Sequence, residues 1–596
     1  MSKDQQPAGS YDVAILGGGL AGLTLGLQLK QARPETSIFI AEKREGPARE
    51  AAFKVGESTQ EISCHYFGDV LGFKEHLENE QIHKNGLRFW FPAGDNSELA
   101  ERVERGPAGR LPVPTYQLDR GRFENFLGEQ CLAAGIDRFG GARIQDVEIA
   151  GDRHQITSTD LFGPDGFERM QAAGDLHRIT FTLGGGTVTT EARWVVDATG
   201  RSFTLKKRLG LLEDNGHVIN SSWFRLAGGL DLEDWADPND EEFFGRMAER
   251  GVRRLSTNHL CGQGYWCWLI QLSSGPISIG LCADPRFHPF EEFNTLEGLL
   301  DWFRRHEPQV AESVEGRLDQ VEDFLKVEDF SYGCKQVFSG SDRWCLVGEA
   351  GAFLDPFYSP GSDFIAISNT LTADLVARAL DGEDVTDRAK AHDELYLAAY
   401  RTHLTFYEGQ YEFWHNPSVM NVKIGANNIH YWGCNALLFF KRKWADLEFM
   451  ARVRPDVERI WAITRRLEAL YREWNALESR EWRRALVSTA AFPAMFERHE
   501  DLERPFDDDG LAAQLAANAE LMEAYAVLAF TKAASALPGG GPGEDERVNP
   551  YAISLDPERW EADGLFDGTG MSAAEARQTP AAGMENLFMD AIAQPA

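Results

Sequence analysis

The sequence predicts an α/β fold: a Rossmann-like dinucleotide-binding domain, an antiparallel-sheet subdomain and a C-terminal helical region. Three observations predict it. The first 45 residues read as strand, glycine turn, helix and strand. Two later apolar runs, "ARWVVDATGR" and "RWCLVGEAGAFLDP", break into glycine-containing turns in the same manner. Between them, "SSWFRLAGGL", "GYWCWLIQLSS" and "PISIGLCAD" are β-rich runs separated by turn residues, the pattern of an antiparallel sheet.

Taken in order, "YDVAIL" is the first strand, "AGLTLGLQLKQA" the helix behind it and "TSIFIAEK" the second strand after a break at Pro34. Residues Asn85 to Pro92 alternate toward a strand, and "LDRGRFENFLGEQCLAAG" has apolar positions at helical spacing. From Ala150 to Thr190 short strands alternate with Gly and Asp turns. "FNTLEGLLDWFRRHEP" reads as a helix, and "SDFIAISNTLTADLVARAL" as a long apolar helix following a turn. Boundaries follow: a nucleotide-binding domain at 1–205 and 331–387, a substrate subdomain at 206–330 and an aromatic-rich helical region at 388–537. The stretch 538–596, opened by "LPGGGPGEDERVNP", reads as a loose acidic linker and tail.

Composition narrows the function classes. Hydrophobic residues make up 43% and charged residues 26%, as in an ordinary globular chain. The net charge of −33 disfavours nucleic acid and anionic membrane surfaces, whose phosphates it would repel. The 8 cysteines are scattered with no C-x-x-C pair, which reads as reduced thiols. No secretory signal and no membrane-span length of apolar residues is visible, so a cytoplasmic protein is expected. The histidines are too dispersed for a metal cluster, and no metal site is expected.

"GGGLAG" sets Gly17, Gly19 and Gly22 in G-x-G-x-x-G spacing around Leu20 and Ala21, directly after a strand and opening a helix. Glycine there permits the tight turn and the close approach of backbone to a pyrophosphate, whose charge the helix N-terminus stabilises. Glu42 ends the second strand, where a carboxylate reaches a ribose hydroxyl. These residues predict a nucleotide cofactor without separating NAD from FAD.

"VVDATG", with Asp197 and Gly200, and "CLVGEAGAFLDP", with Gly348, Glu349 and Asp355, resemble the second and third fingerprints of FAD-dependent monooxygenases. That resemblance implies FAD and a domain of the glutathione-reductase/PHBH type. Glu349 stands where that family usually has Asp, and Arg120 or Arg122 matches its phosphate-contacting arginine.

Three further stretches resemble the flavin-dependent halogenases over roughly the first 380 residues. Trp266, Trp268 and Ile270 form W-x-W-x-I, with Gln271 where the family has proline. The competing reading is a strand with large side chains on one face. Phe353, Pro356, Ser359 and Gly361 form F-x-x-P-x-x-S-x-G, the turn whose amides receive halide in those enzymes. The competing reading is a turn that only packs the flavin ring. Residues Ser359, Pro360, Gly361 and Ser362 are the candidate halide site. Lys84, ahead of "NGLRFWF" and after the G-E-S-T of "KVGEST", sits where the family's catalytic lysine is expected; Lys54 and Lys74 lack the following strand.

The resemblance implies reduced FAD as reductant, molecular oxygen as co-substrate and chloride or bromide as the halogen source. A flavin C4a-hydroperoxide would oxidise the halide, and the lysine would pass the halogen to an electron-rich aromatic substrate, free or tethered to a carrier protein. It also implies a separate NAD(P)H-dependent flavin reductase. Tyr358 stands where tryptophan halogenases carry a glutamate, which leans the substrate toward phenols and pyrroles. A FAD-dependent aromatic hydroxylase or related reductase is the alternative enzyme, and a flavin-binding protein without turnover the alternative of another class.

Overall fold

The run at Tyr11 to Leu16 is apolar almost throughout because its strand is covered on both faces, as parallel strands are. A computed structural model describes residues 7–51, 55–150 and 176–593. It divides into two compact units, each built from three chain segments.

The first unit comprises 1–81, 118–216 and 331–401. The strand Ser10–Leu16 lies between Ile38–Glu42 and Gly186–Asp197, parallel to both. Trp344–Leu346 extends the parallel sheet past Gly186–Asp197, and Asp137–Gly140 extends it past Ile38–Glu42. Helix Leu20–Ala32 carries one buried side after another along its length, among them Leu23, Leu25 and Leu27. The ends of three parallel strands, at Leu16, Asp197 and Leu346, therefore come together in register, Leu16 opposite Asp197 and Asp197 opposite Leu346. Loops leaving strand ends of this kind are where such sheets bind ligands. Part of the Ala150 to Thr190 region lies outside the described residues; beyond it, His177–Leu183 pairs antiparallel with Gly186–Asp197.

The second unit comprises 82–117, 217–330 and 402–596. Its sheet runs in the order Val321–Val327, Asn220–Leu226, Ile277–Ala283, Tyr265–Gln271, Thr257–Gly262, Leu87–Phe91, Val103–Gly106, Leu486–Ser488. The sheet is mixed rather than purely antiparallel, because Leu87–Phe91 joins Thr257–Gly262 in parallel, and Leu486–Ser488 joins Val103–Gly106 likewise. One face packs Trp90, Leu260, Cys267, Leu269 and Leu281 against Trp302 and Phe303 of helix Leu296–His306. Period-two alternation sends Trp266, Trp268 and Ile270 to the opposite face.

Helices Pro417–His430, Leu447–Asn475 and Asp508–Ala534 follow, the first two tied by a buried Lys423–Glu468 ion pair at 2.5 Å. The boundaries drawn from composition need correction. The segment 82–117 joins the second unit, and the helix Thr386–Leu404 spans the division at 401 and 402. Residues 538–596 are no loose tail where described: Val548, Ile553, Leu565 and Met584 are buried, and Arg547–Val548 pairs with Met571–Ser572. Its acidic surface residues masked a sparse set of apolar anchors. All 8 cysteines are buried and free. No helix among the described residues is long and apolar enough to cross a membrane.

Candidate functional site

In the first unit the strand ends enclose a cleft of about 550 Å³. Gly17, Gly19, Leu20, Ala21 and Glu42 line it, with Arg120, Gly200 and Glu349. Gly22 lies just behind the turn, where a Cβ would fall 2.0 Å from the Gly17 carbonyl oxygen, so no larger residue fits this turn. The Glu42 carboxylate accepts from the amides of Gly18 and Arg44, both at 2.8 Å, which fixes its position at the rim of the turn.

The two candidate arginines part company. Arg120 reaches into the cleft, donating to the Val55 carbonyl at 2.7 Å and pairing with buried Glu124 at 2.8 Å, while its Nε is buried without a partner. Arg122, two residues on around the helix, is aimed elsewhere and pairs with Glu50 at 3.1 Å and Glu80 at 3.6 Å.

Asp197 and Asp355 do not line the cleft; each holds a turn. Asp197 accepts from Thr199 N at 2.9 Å, Thr199 Oγ1 at 2.6 Å and Leu205 N at 2.7 Å. Burial raises the pKa of this carboxyl against those hydrogen bonds. Asp355 caps the turn Pro356–Tyr358 by accepting from Phe357 N at 3.0 Å. Gly348 has φ 57 and packs beside Ala21. Sequence reading missed Thr199, Ser202 and Thr204 in the lining, although they sit inside and just after "VVDATG". Arg143 and Lys43, also lining residues, carried no local signal.

The segment from Glu349 to the turn is braced from behind. The buried Lys206 ammonium donates to the Gly351 carbonyl at 2.5 Å and lies 4.4 Å from the centre of the Tyr332 ring. Burial lowers its pKa to about 8. Tyr332 donates its hydroxyl to the Glu349 carbonyl at 2.8 Å and exchanges backbone hydrogen bonds with Phe353.

Beyond Phe353 the chain closes the turn Pro356–Tyr358, passes through Ser359 at φ 61 and enters the helix Gly361–Leu380. A serine in the left-handed region is strained and is held here by its surroundings. Its hydroxyl donates to Ser58 at 2.8 Å, and Gln60 Nε2 donates to the Tyr358 carbonyl at 2.5 Å. The end of "KVGEST" and the residue after it thus latch the turn, although Lys54 itself lies outside the described residues. The Ser359 amide is already taken by the Pro356 carbonyl at 2.8 Å, and Pro360 has no N–H. The halide candidates therefore reduce to the first-turn amides of Gly361 and Ser362, which have no side-chain cap and no acceptor within the helix. The Phe353 ring lies beside Gly361.

In the second unit Lys84 ends the strand Ile82–Lys84, opposite Thr115, and is 2% exposed. Its rival Lys74 starts an exposed helix in the first unit. Trp266 and Trp268 extend an aromatic row. Phe89 stacks on His259 at 4.8 Å, His259 lies 5.1 Å from Trp266, and Trp266 lies 5.7 Å from Trp268. The Trp266 N–H donates to the Tyr411 hydroxyl at 3.0 Å, and the Trp268 ring covers Gly280, where a Cβ would come within 2.1 Å. The strand reading and the motif reading thus describe the same residues. Gln271, in place of proline, closes the following turn through Gly275 O at 2.7 Å.

The cleft fits an extended dinucleotide: a glycine turn at a helix N-terminus, an acid at the next strand end, a half-satisfied arginine and room between them. No protein-family model matches the chain. It is 26% identical over 405 residues to the flavin-dependent halogenase chlA of Dictyostelium discoideum, covering 65% of this chain and 63% of that one. The match thus spans less than two thirds of that relative. A 1H-pyrrole-2-carbonyl-[peptidyl-carrier protein] chlorinase of Pseudomonas fluorescens is 26% identical over 409 residues, 64% of this chain and 79% of its own. Among solved structures, the halogenase PltM in complex with phloroglucinol and FAD superposes with a TM-score of 0.56 at 17% identity, covering 86% of this chain and 96% of that chain. The chain thus shares its α/β fold with the solved halogenase PltM, and the curated relatives it is similar to are themselves halogenases.

Proposed function

We propose that the protein is a flavin-dependent halogenase: it holds FAD in the 550 Å³ cleft, binds chloride or bromide at the turn and halogenates an electron-rich aromatic through Lys84. The observation that carries this reading is the turn itself. A strained Ser359, latched from Ser58 and Gln60, presents two uncapped helix amides a short chain distance after the cleft residue Glu349.

Bound reduced FAD, with oxygen, supplies the two-electron oxidation of the halide. The chain's own groups do the rest. Arg120 would meet the phosphates of bound FAD, and Glu42 would hold a ribose hydroxyl once it exchanged its amide partners. Glu349, in the same cleft, would meet the ribityl chain of the bound cofactor. The Gly361 and Ser362 amides, with the helix dipole, hold the anion. The Lys84 ammonium donates a hydrogen bond to hypohalous acid, or as free amine accepts the halogen, and so directs it to one ring carbon.

The substrate class we assign is a phenol or pyrrole, free or carrier-tethered. Support comes from Tyr358 in the place of a glutamate, from the pyrrole-chlorinating relative and from the phloroglucinol complex of PltM. Reduced flavin comes from a separate NAD(P)H-dependent reductase.

The test is to supply protein, reductase, NADH, oxygen and bromide to a panel of phenols, pyrroles and indoles and weigh the products. A bromine isotope doublet is expected, whereas gain of one oxygen alone would make the protein a hydroxylase. Lys84→Ala is expected to lower halogenation by about 1,000-fold or more with FAD binding retained. Retained halogenation would remove Lys84 from the reaction.

A further inference from the structure

Behind Lys84 lies a cluster of charges that none of the sequence motifs touches. Arg88, four residues on in the strand Leu87–Phe91, pairs with Glu104, and Glu104 also accepts from Arg253 Nε at 2.9 Å and Nη2 at 3.1 Å. Arg253 reaches on to Glu233 at 3.2 Å and to the Phe243 carbonyl at 2.8 Å. The side chains of Arg88, Glu104 and Arg253 are all 0% exposed. Removing ions from water is costly, so a lattice of this kind is weak evidence of stability alone.

What the lattice touches is the Lys84 corner. Arg253 opens the short turn Arg253–Leu255, and the Leu255 carbonyl accepts from the Asn85 amide at 2.9 Å and from Gln117 Nε2 at 3.0 Å. Gln117 lies on the strand that pairs with Ile82–Lys84. The next residue, Ser256, donates its hydroxyl to the Asn85 carbonyl at 2.7 Å and accepts from Arg88 Nε at 3.4 Å. Arg88 Nη2 donates to the Pro107 carbonyl at 2.6 Å, and Thr257 N donates to the Gly86 carbonyl at 3.1 Å. Both peptide groups of Asn85 and the carbonyl of Gly86 are thus fixed by the segment that Glu104 anchors.

We propose that Glu104, bridging Arg88 and Arg253, is a positioning residue for Lys84: the buried lattice sets where the lysine's backbone stands and hence where its amine delivers the halogen. This rests on Lys84 as the halogen carrier. Glu104 touches no substrate and acts through the backbone of Asn85 and Gly86, so its loss should spoil delivery more than halide oxidation. Misplacing a reacting group by about 1 Å costs up to roughly 100-fold in rate, which makes the effect measurable.

The experiment compares Glu104→Gln, Ser256→Ala, Lys84→Ala and the unaltered protein, each loaded with FAD. Two products are read together: halogenated aromatic, and oxidised halogen escaping to a soluble β-diketone scavenger. Glu104→Gln is expected to raise the ratio of escaped to delivered halogen by about tenfold, with their sum within about twofold of the unaltered protein. Ser256→Ala, the milder change, is expected to move the same ratio about threefold and decides the matter should Glu104→Gln fail to fold. Amide hydrogen exchange supplies a second readout: peptide 82–91 should exchange faster in both variants, with cofactor-cleft peptide 11–25 unchanged. A parallel fall of both halogen products, or faster exchange in both peptides, makes the lattice merely structural and overturns the inference. So does an unchanged ratio beside a dead Lys84→Ala. Full delivery by Lys84→Ala overturns the lysine reading instead and takes this inference with it.

Discussion

The cofactor cleft of the first unit and the Lys84 corner of the second solve positioning in opposite ways. The cleft is mostly backbone: glycine turns at strand ends, with the amides of Gly18 and Arg44 holding Glu42. The corner is mostly charged side chain, with Glu104, Arg88, Arg253 and Glu233 drawn from distant stretches to fix two peptide groups. A cleft made of backbone needs particular residues only where a side chain would intrude. A corner made of ions needs every partner, because one missing charge leaves another buried and unpaired.

Gly22→Val places methyl groups where even a Cβ would lie 2.0 Å from Gly17 O, so FAD affinity should fall by at least about 100-fold, read by flavin fluorescence titration. Near-normal affinity would mean that the turn is not rigid. Next, Arg120→Ala should weaken FAD binding by about 10- to 100-fold through loss of a charged hydrogen bond in the cleft. Arg122→Ala should change it by less than about twofold, since its partners are the exposed acids Glu50 and Glu80. Equal effects would return the two arginines to equivalence.

The smallest effect concerns pH. Lys206 has a native pKa lowered to about 8 by burial, whereas an unfolded lysine titrates near 10.4. Between those values the unfolded chain binds more protons than the native one, so this residue makes stability rise with pH across the window. Below about pH 8 both states are protonated and its penalty is constant. The stability of the unaltered protein relative to Lys206→Met should therefore climb by on the order of 1 kcal/mol from pH 8 to pH 10.5, measured by chemical denaturation. A flat difference would mean that the ammonium is not desolvated.

What could be read from sequence followed from how local each feature is. The glycine turn, Glu42 and the two later strand-end loops each lie within one short stretch, so spacing exposed the first two and resemblance to the monooxygenase fingerprints the loops. Arg120 and Arg122 could not be told apart, because which side of the helix meets the cleft depends on strand ends elsewhere in the chain. The turn was legible as a turn, but the loss of Ser359 N to Pro356 O depends on backbone torsions, not residue types. Glu104 gave no signal at all. An acid in "RVERG" reads as a solvated charge until its strand is paired between Leu87–Phe91 and Leu486–Ser488. The C-terminal segment misled for a related reason: few apolar residues suffice when a neighbouring helix already supplies the core, as Trp560 against Phe530 illustrates.

The chain passes between its units at 81 and 82, 117 and 118, 216 and 217, 330 and 331, and 401 and 402. That interleaving has a consequence for biogenesis. Ser10–Leu16 must wait for Gly186–Asp197, and that strand must wait for Trp344–Leu346, before the parallel sheet has its central strands. Leu87–Phe91 waits for Thr257–Gly262, and Val103–Gly106 waits for Leu486–Ser488. The first unit has all its segments only once residue 401 is made, and the second waits further, for 402–596. Such long-range pairings close slowly and leave strand edges exposed meanwhile. The nascent chain keeps an unpaired strand edge until Leu486–Ser488 is made, so slowing translation early should help its yield less than shielding it late.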